Sequence, residues 1–255
     1  MQIAQHTFLI TGGGSGLGRA CVERFHAAGA IVVIADLNDA AGNELAGTLG
    51  ARATFMHTDV TDETSVKHAI DFATKTCGGL HGVVHCAGIL AVACVAGKNG
   101  PHDLVLFRRV IDVNLTGTFN VLRLAAAAMQ ANPPNADGER GVLVATSSVA
   151  ADDGQIGQAA YAASKAGVSG LMLPLTRELA RFGIRAVAIA PGVFETAMMT
   201  AAAPEIRESL AAQIPFPPRF GLPAEFAALA QHIVENPYLN GTTIRLDAAL
   251  RMGAK

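Results

Sequence analysis

A tyrosine and a lysine in the stretch YAASKAG have the spacing of an acid–base pair. Tyr161 and Lys165 are four positions apart, and residues at i and i+4 of a helix share one face, with their Cβ atoms about 5–6 Å apart. A phenol that exchanges protons near neutral pH needs its pKa lowered by roughly 2–3 units from about 10. A neighbouring ammonium stabilises the phenolate, so we expect Lys165 to lower the pKa of Tyr161.

Two serines end an apolar segment upstream of this pair. The segment VLVATSS finishes with Ser147 and Ser148, and a hydroxyl at the carboxyl end of a strand lies at the sheet edge where α/β proteins bind ligands. Neighbouring strand residues point to opposite faces, so only one of the two serines can face the tyrosine. The strand pattern alone leaves both open.

A glycine-rich loop follows the first apolar segment. In TFLITGGGSGLG, three residues separate Gly12 from Gly16 and one separates Gly16 from Gly18. Such glycines let the main chain turn tightly and approach a pyrophosphate, which the N–H groups at a helix start bind. For a glycine loop taken alone, the alternative is an ordinary strand-to-helix turn. The cofactor contacts predicted here are Gly12, Ser15, Gly16, Leu17 and Gly18.

Acidic residues follow the second and third apolar segments. Asp36 ends IVVIAD, eighteen positions after Gly18, close to the ~20 at which an acid binds the adenosine ribose of NAD. A carboxylate there repels the 2′-phosphate of NADP, and no Arg or Lys follows it in LNDAAG, so NAD is the predicted cofactor. Asp59, followed by Val60, either contacts the adenine or caps the next helix.

Seven short apolar segments alternate with helical ones and must position these side chains. They are TFLI, AIVVIAD, ATFMHTDV, GVVHCAG, GVLVATSS, IRAVAIAPG and TTIRLD. This alternation predicts a Rossmann-type, doubly wound, seven-stranded parallel sheet with helices on both faces. The 255 residues fit one domain, 1–255. The apolar, proline-broken segment 194–220, which contains Met198 and Met199, predicts a substrate lid.

Composition excludes several classes of partner. A net charge of −2 offers no footprint for nucleic acid or an anionic membrane. Four cysteines without a C-x-x-C pair predict reduced thiols, and His81 and His85 lack metal-ligand spacing, so no metal is expected. The chain shows no signal peptide and no uninterrupted apolar run of about 18 residues. These features predict a soluble, cytoplasmic protein.

In this order, the motifs resemble the short-chain dehydrogenase/reductase family over essentially the full chain: TGGGSGLG, DVNLTGTFN, a serine thirteen residues before the tyrosine, YAASK and IAPGVFET. The resemblance selects Ser148 to orient the substrate oxygen and Tyr161 to exchange its proton. It implies that Lys165 also holds the nicotinamide ribose and that Asn114 anchors a water. Further implied cofactor contacts are Ala87, Gly88, Pro191, Gly192, Val193 and Thr196.

The chain departs from the family pattern after the fourth strand. The usual Asn-Asn-Ala-Gly is replaced by His85, Cys86, Ala87 and Gly88. The hydrogen bonds of the first asparagine must therefore come from His85 or from elsewhere.

A narrower resemblance, to the type II 3-hydroxyacyl-CoA dehydrogenases, rests on CAGILAVA, GQIGQAAY, IPFPPRFGLPAEFA and ENPYLNGTTIRLDAALRM. It implies NAD-dependent oxidation of the 3-hydroxyl of an acyl-CoA thioester, a homotetramer, and Gln155 in the substrate pocket, where a solvated loop glutamine is the alternative. Lys98, Arg207 and Arg219 are candidate contacts for CoA phosphates or ordinary surface charges. Two other functions stay open: a hydroxysteroid or other secondary-alcohol dehydrogenase, and an NAD-bound scaffold or redox sensor without catalysis.

Overall fold

The computed structural model describes residues 1–98, 100–196, 199 and 204–254. Within these residues, seven parallel strands form one sheet, and two short strands, β5 (Ala96–Gly97) and β6 (Gly100–Pro101), form an antiparallel pair. The seven are β1 (Thr7–Thr11), β2 (Ile31–Asp36), β3 (Ala53–His57), β4 (Gly82–His85), β7 (Gly141–Thr146), β8 (Ile184–Pro191) and β9 (Thr243–Leu246). Each corresponds to one of the predicted apolar segments.

The strand order is β3-β2-β1-β4-β7-β8-β9. Ile10 of β1 pairs with Ile34 of β2 on one side and with Val84 of β4 on the other. The chain therefore reverses its direction of travel across the sheet between β1 and β4, and a crevice opens at the carboxyl ends of the strands there. This topology confirms the predicted doubly wound fold.

Helices cover both faces of the sheet. In chain order they are α1 (Gly16–Ala27), α2 (Asp39–Leu49), α3 (Glu63–Thr76), α4 (Leu104–Ile111), α5 (Gly117–Met129), α6 (Ala159–Leu179), α7 (Pro204–Ala211) and α8 (Pro223–Glu235). A π-helical turn, Asp112–Thr116, joins α4 to α5.

The central strands β1, β4, β7 and β8 are buried at every position, because their side chains are largely apolar on both faces of the sheet. Phe8, Phe25 and Phe226 pack in the core on the face covered by α1 and α8. Leu9 and Leu122 belong to the core on the opposite face, which α3, α5 and α6 cover. Two continuous cores hold the carboxyl edge of the sheet in place, so the side chains at that edge have fixed positions.

The predicted lid, 194–220, is described only in part. Met198 lies outside the described residues, whereas Met199 packs against a small apolar cluster of Ile214, Phe220 and Leu250. The lid and the assignment of 1–255 to one domain stay predictions. No helix in the described part of the chain is long and apolar enough to cross a membrane.

Candidate active site

A cavity of about 730 Å³ runs along the carboxyl ends of the strands. We call its first part, around residues 12–18, Asp36 and Asp59, the cofactor half, and its second part, around Ser148, Gln155 and Tyr161, the substrate half. All the predicted site residues line this cavity except Asn114, which lies behind its wall. Segments far apart in the sequence therefore meet at one edge of the sheet.

The glycine loop has the geometry of a cradle. Gly12 has a φ of +62°, in the left-handed region that favours glycine, and a Cβ on Gly18 would collide with the Gly12 carbonyl oxygen. Ser15 precedes α1 and its side chain makes no capping hydrogen bond. The N–H groups of the first helical turn therefore remain available for an anion.

Asp36 joins the loop to the end of β2. Its Oδ2 accepts a hydrogen bond from the Gly14 N–H at 2.9 Å, and its Oδ1 accepts one from the Asn38 N–H at 2.9 Å. The carboxylate is thus fixed beside the glycine loop, where it lines the cavity. An uncapped helix start, a tight glycine loop and an acid after β2 together fit the pyrophosphate and adenosine ribose of a dinucleotide.

Asp59 is not the cap of α3. Its Oδ1 accepts from the N–H and the hydroxyl of Thr61 at 2.9 and 2.7 Å. Asp62 is the N-cap instead, and its Oδ1 accepts from the Thr64 N–H at 2.8 Å. Asp59 and the buried Val60 line the cofactor half, so capping, the alternative considered for Asp59, is wrong.

His85 stands where the family usually has asparagine, and it acts together with Thr11 of the neighbouring strand β1 to hold the loop after β4. Its Nδ1 lies 2.8 Å from Thr11 Oγ1, which also accepts a hydrogen bond from the Ala87 N–H at 3.3 Å. His85 Nε2 has no hydrogen-bond partner among the described residues. Burial, and secondarily the Lys165 charge, lower the pKa of His85 to about 3, so the ring is neutral and holds the loop after β4.

The structure separates the two serines. The Ser148 side chain hydrogen-bonds to Tyr161, and its Oγ accepts from the Ala150 N–H at 3.1 Å. Ser147 Oγ donates to the Lys165 carbonyl at 2.9 Å and pairs with Ser169 Oγ at 2.8 Å. Ser148 therefore faces the tyrosine, while Ser147 anchors α6 to the end of β7.

Tyr161 and Lys165 share one face of α6, but the expected effect on the tyrosine pKa is not found. Burial raises the pKa of Tyr161, and the Ser148 hydrogen bond lowers it only in part. Lys165 Nζ donates to the Thr146 carbonyl at 2.7 Å and lies 5.7 Å from the centroid of the Tyr161 ring. Burial lowers the pKa of Lys165 to about 8, opposed by the Cys86 thiol. The desolvation of the phenol therefore sets the direction of its pKa in this structure.

Asn114 lies in the π-helical turn and is fully buried. Its Nδ2 donates to the Ile89 carbonyl at 2.9 Å and to Ser164 Oγ at 3.1 Å, and its Oδ1 accepts from the Ile89 N–H at 2.8 Å. A Cβ on Gly88 would lie 3.2 Å from Asn114 Oδ1 and 3.5 Å from Lys165 Nζ. The absence of a side chain at Gly88 therefore keeps these two polar groups close to the cavity.

The substrate half contains residues that the sequence did not reveal. Gln155 lines the cavity, as expected, and its Nε2 donates to the Gly253 carbonyl at 3.3 Å. Gln158, whose Nε2 donates to Gln155 Oε1 at 3.4 Å, was missed. The other missed lining residues include Arg109 and Met252, whereas Leu210 lies in the predicted lid 194–220. No local pattern marks them, because tertiary packing alone brings them to the cavity.

Two of the three candidate cations for CoA are paired. Arg207 binds Glu195 with N–O distances of 3.0 and 3.1 Å, and Arg219 binds Glu225 with distances of 2.8 and 3.0 Å. Lys98 is exposed on the β5–β6 turn. Arg109 is exposed at the cavity, and its side chain makes no hydrogen bond or ion pair with the rest of the described chain.

The remaining predicted residues come from the end of β8. Pro191, Gly192, Val193 and Thr196 line the cavity, and the Gly192 N–H donates to the Leu246 carbonyl at 2.9 Å. His81 serves packing: its Nδ1 accepts from the Thr7 N–H at 3.2 Å, and its ring stacks edge-on against His6. Among the described residues, no group of three or more His, Cys, Asp or Glu side chains is placed to hold a metal ion.

A doubly wound sheet that ends in a glycine loop, an acid after β2 and a Ser–Tyr–Lys cluster defines the Rossmann-type oxidoreductases. The chain belongs to the short-chain dehydrogenase family, whose model matches residues 6–207. It is therefore an enzyme that acts on CH–OH groups, as the motifs indicated.

Similar proteins extend over nearly the whole chain. The 3-hydroxyacyl-CoA dehydrogenase type-2 of Drosophila melanogaster is 52% identical over 246 residues, covering 96% of this chain and 96% of that protein. The human protein of the same name is 48% identical and covers 96% of this chain and 94% of its own. A crystal structure of 3-hydroxyacyl-CoA dehydrogenase type-2 from Mycobacterium avium matches with a TM-score of 0.95 at 45% identity, covering 100% of both chains.

Proposed function

We propose that this enzyme oxidises the 3-hydroxyl of an acyl-CoA thioester with NAD. The observation that carries the proposal is the single cavity in which the Ser148–Tyr161 hydrogen bond lies along the same sheet edge as the glycine loop and Asp36. The similar proteins named 3-hydroxyacyl-CoA dehydrogenase type-2 support this substrate class.

The cofactor half binds NAD rather than NADP. The carboxylate of Asp36 would accept hydrogen bonds from the two hydroxyls of the adenosine ribose and would repel a 2′-phosphate at the same place. The uncapped start of α1 holds the pyrophosphate. Asp59 and Val60 would contact the adenine, and Ala87, Gly88 and the end of β8 would contact the rest of the cofactor.

In the substrate half, Ser148 and Tyr161 bind the oxygen that is oxidised. NAD supplies the hydride acceptor and, on its oxidised ring, a positive charge that favours the phenolate. Tyr161 takes the hydroxyl proton while Ser148 orients the oxygen. The Lys165 ammonium holds the nicotinamide ribose and keeps a positive charge behind the tyrosine. Asn114 anchors a water through the second lone pair of its Oδ1.

The thioester arm lies along the loop that carries Gln155 and Gln158. Gln155 donates a hydrogen bond to the thioester carbonyl, which a simple secondary alcohol lacks. Met199, Leu210 and Met252 form an apolar wall for the acyl chain. Arg109, exposed and unpaired within the described part of the chain, meets a phosphate of CoA.

The enzyme assembles as a homotetramer. Leu104 and Val105 of α4, Phe119 of α5 and Leu173 of α6 are exposed apolar side chains on neighbouring helices. A soluble enzyme buries such surface against another copy of itself. Sedimentation velocity at micromolar concentration should give the mass of four chains, and a monomer would contradict the assignment.

A kinetic panel with purified enzyme tests the substrate. It compares (S)-3-hydroxybutyryl-CoA, (S)-3-hydroxyhexanoyl-CoA, a hydroxysteroid and a simple secondary alcohol, each with NAD and with NADP. We expect the thioesters to have the highest kcat/KM. Two more carbons should raise it several-fold, because each buried methylene contributes about 0.8 kcal/mol.

A hydroxysteroid that exceeds both thioesters by about a hundredfold, or about 2.7 kcal/mol, would overturn the substrate and leave the dehydrogenase intact. Absence of NADH with every substrate would overturn the catalytic function and favour a scaffold.

A further inference from the structure

Val60, in the wall of the cofactor half, is held in place by a helix from a distant part of the chain. It is buried in the loop between β3 and α3 and lines the cavity. Its carbonyl accepts a hydrogen bond from Asn120 Nδ2 on α5 at 3.0 Å. A Cβ on Gly117, also on α5, would lie 2.8 Å from Val60 Cγ2. The helix therefore packs against both the main chain and the side chain of Val60.

The Asn120 amide has one orientation, which Arg123 sets. Arg123 Nη2 donates to Asn120 Oδ1 at 2.8 Å and pairs with Glu63 Oε2, at the start of α3, at 2.7 Å. A guanidinium offers only donors and a main-chain carbonyl can only accept, so the amide oxygen must face Arg123 and the amide nitrogen must face Val60. Asn120 is 7% exposed, so little water competes for either bond.

The hydrogen bonds of the neighbouring Asp59, by contrast, are local. Its N–H donates to Ser65 Oγ at 2.9 Å, and its carbonyl accepts from the Asp62 N–H at 3.1 Å. These bonds shape the start of α3 but do not reach α5. The bond from Asn120 spans 60 residues, so it fixes where this loop lies relative to α5 and the cavity. Because Asp59 and Val60 share a peptide bond, a shift at Val60 also moves the Asp59 carboxylate.

We propose that Asn120 is a positioning residue for the adenine end of the cofactor, because it fixes Val60, and through it Asp59, without touching the cofactor. The inference rests on the proposed binding of NAD in the cofactor half. Asn120 lies outside the cavity lining, so its effect must pass through Val60. Without the amide, the buried Val60 carbonyl loses its partner, and an unsatisfied buried acceptor is costly. The loop then shifts towards water and away from the adenine.

Calorimetric titration with ADP-ribose, which carries the adenine and lacks the nicotinamide, tests the role of Asn120. In Asn120→Ala we expect the Kd for ADP-ribose and for NADH to rise about 2–10-fold, the range for one net hydrogen bond. Steady-state kinetics should show the same rise in KM for NAD, while kcat at saturating NAD stays within about twofold of the wild-type value. A loss of general stability would not produce this split between KM and kcat.

Asn132→Ala is the matched control. Asn132 Nδ2 donates to the Leu80 and Arg140 carbonyls at 2.7 and 2.9 Å, away from the cavity lining. This variant therefore loses the same kind of bond between a side chain and the main chain, and it should keep wild-type affinity for ADP-ribose. Arg123→Met, at a partly exposed position, should raise the Kd by a smaller factor than Asn120→Ala, and it carries the test if Asn120→Ala does not fold.

The inference is overturned if the folded variants of Asn120 and Arg123 bind ADP-ribose as tightly as the wild type does. It is also overturned if Asn132→Ala weakens the binding of ADP-ribose as much as Asn120→Ala. A wild-type enzyme that does not bind ADP-ribose would overturn the proposed cofactor itself, and this inference with it.

Discussion

The two halves of the cavity are built from contacts of different range. In the cofactor half, the hydrogen bonds that fix the two aspartates join residues close in the sequence. Gly14 and Asp36 are 22 positions apart, and Thr61 and Asp59 are 2 positions apart. In the substrate half, Gln155 is tied to Gly253, 98 residues away. Cofactor recognition is thus encoded in compact motifs, whereas substrate recognition depends on the fold that returns the end of the chain to the cavity.

An ion-pair network holds that returning segment. Arg245 bonds Asp153 at 2.7 Å, Asp152 at 3.2 Å and Asp247 at 2.7 Å, and Arg251 bonds Asp247 at 3.0 Å. The network joins the end of β9 to the loop before Gln155. A cluster of several partly buried charges contributes more than an isolated surface pair. It fixes the substrate half, much as the Asp36 hydrogen bonds fix the glycine loop.

Replacing Tyr161 by phenylalanine should give the largest difference between the two halves, because it affects catalysis and leaves cofactor binding intact. The substitution keeps the ring and removes the hydroxyl that takes the proton, so we expect kcat to fall by at least about 10²-fold with NADH affinity nearly unchanged. Tyr238→Phe is the matched control, because Tyr238 is 97% exposed and should behave as wild type. Steady-state kinetics and NADH titration measure both effects, and near-normal kcat in Tyr161→Phe would refute the role of this residue.

His85→Asn should change how stability responds to acid. The folded pKa of His85 is about 3, below the usual 6.5, so the unfolded chain binds more protons between these values and stability falls as the pH drops from 6.5 towards 3. The free energy of unfolding of His85→Asn should therefore fall by about 2 kcal/mol less than that of the wild type between pH 6.5 and 5. Urea unfolding of both proteins across this range measures it, and identical pH slopes would count against the neutral buried ring.

Asp36→Asn should chiefly affect the choice of cofactor. We expect the wild type to prefer NAD over NADP at least tenfold in kcat/KM, about 1.4 kcal/mol, and the variant to lose most of this preference because the amide no longer repels a 2′-phosphate. Asp39→Asn, on the neighbouring exposed surface, should retain it. Equal kcat/KM for the two cofactors in the wild-type enzyme would reject the assignment of Asp36.

Gln155→Ala should affect the substrate half alone and by the smallest amount. Losing one hydrogen bond to the thioester costs about 0.5–1.5 kcal/mol, so KM for the acyl-CoA should rise roughly 2–10-fold while NADH affinity stays constant. Gln130→Ala, an exposed residue remote from the cavity, is the control. An unchanged KM in Gln155→Ala would reject the contact with the thioester and favour the alternative, in which Gln155 is a solvated loop residue.

Features that depend on residues close in the sequence could be predicted, whereas those that depend on contacts between distant segments could not. Short apolar segments that alternate with helical ones predicted all seven strands, and family spacing selected Ser148 over Ser147, which the Ser147–Ser169 contact supports. Met252 and Gln158 were missed because packing between distant segments brings them to the cavity. The rise in the Tyr161 pKa was also missed, because desolvation depends on everything that surrounds a group in the fold, and helical spacing reports one neighbour only.

Isotope transfer between the two halves tests the central claim most directly. The enzyme is given NAD and (S)-3-hydroxybutyryl-CoA that carries deuterium on C3, and the product NADH is analysed by mass spectrometry. The account predicts one deuterium in each NADH formed, with the rate at least about 10²-fold lower in Tyr161→Phe. NADH without deuterium, or no NADH from the thioester, would contradict hydride transfer from the 3-position in this cavity.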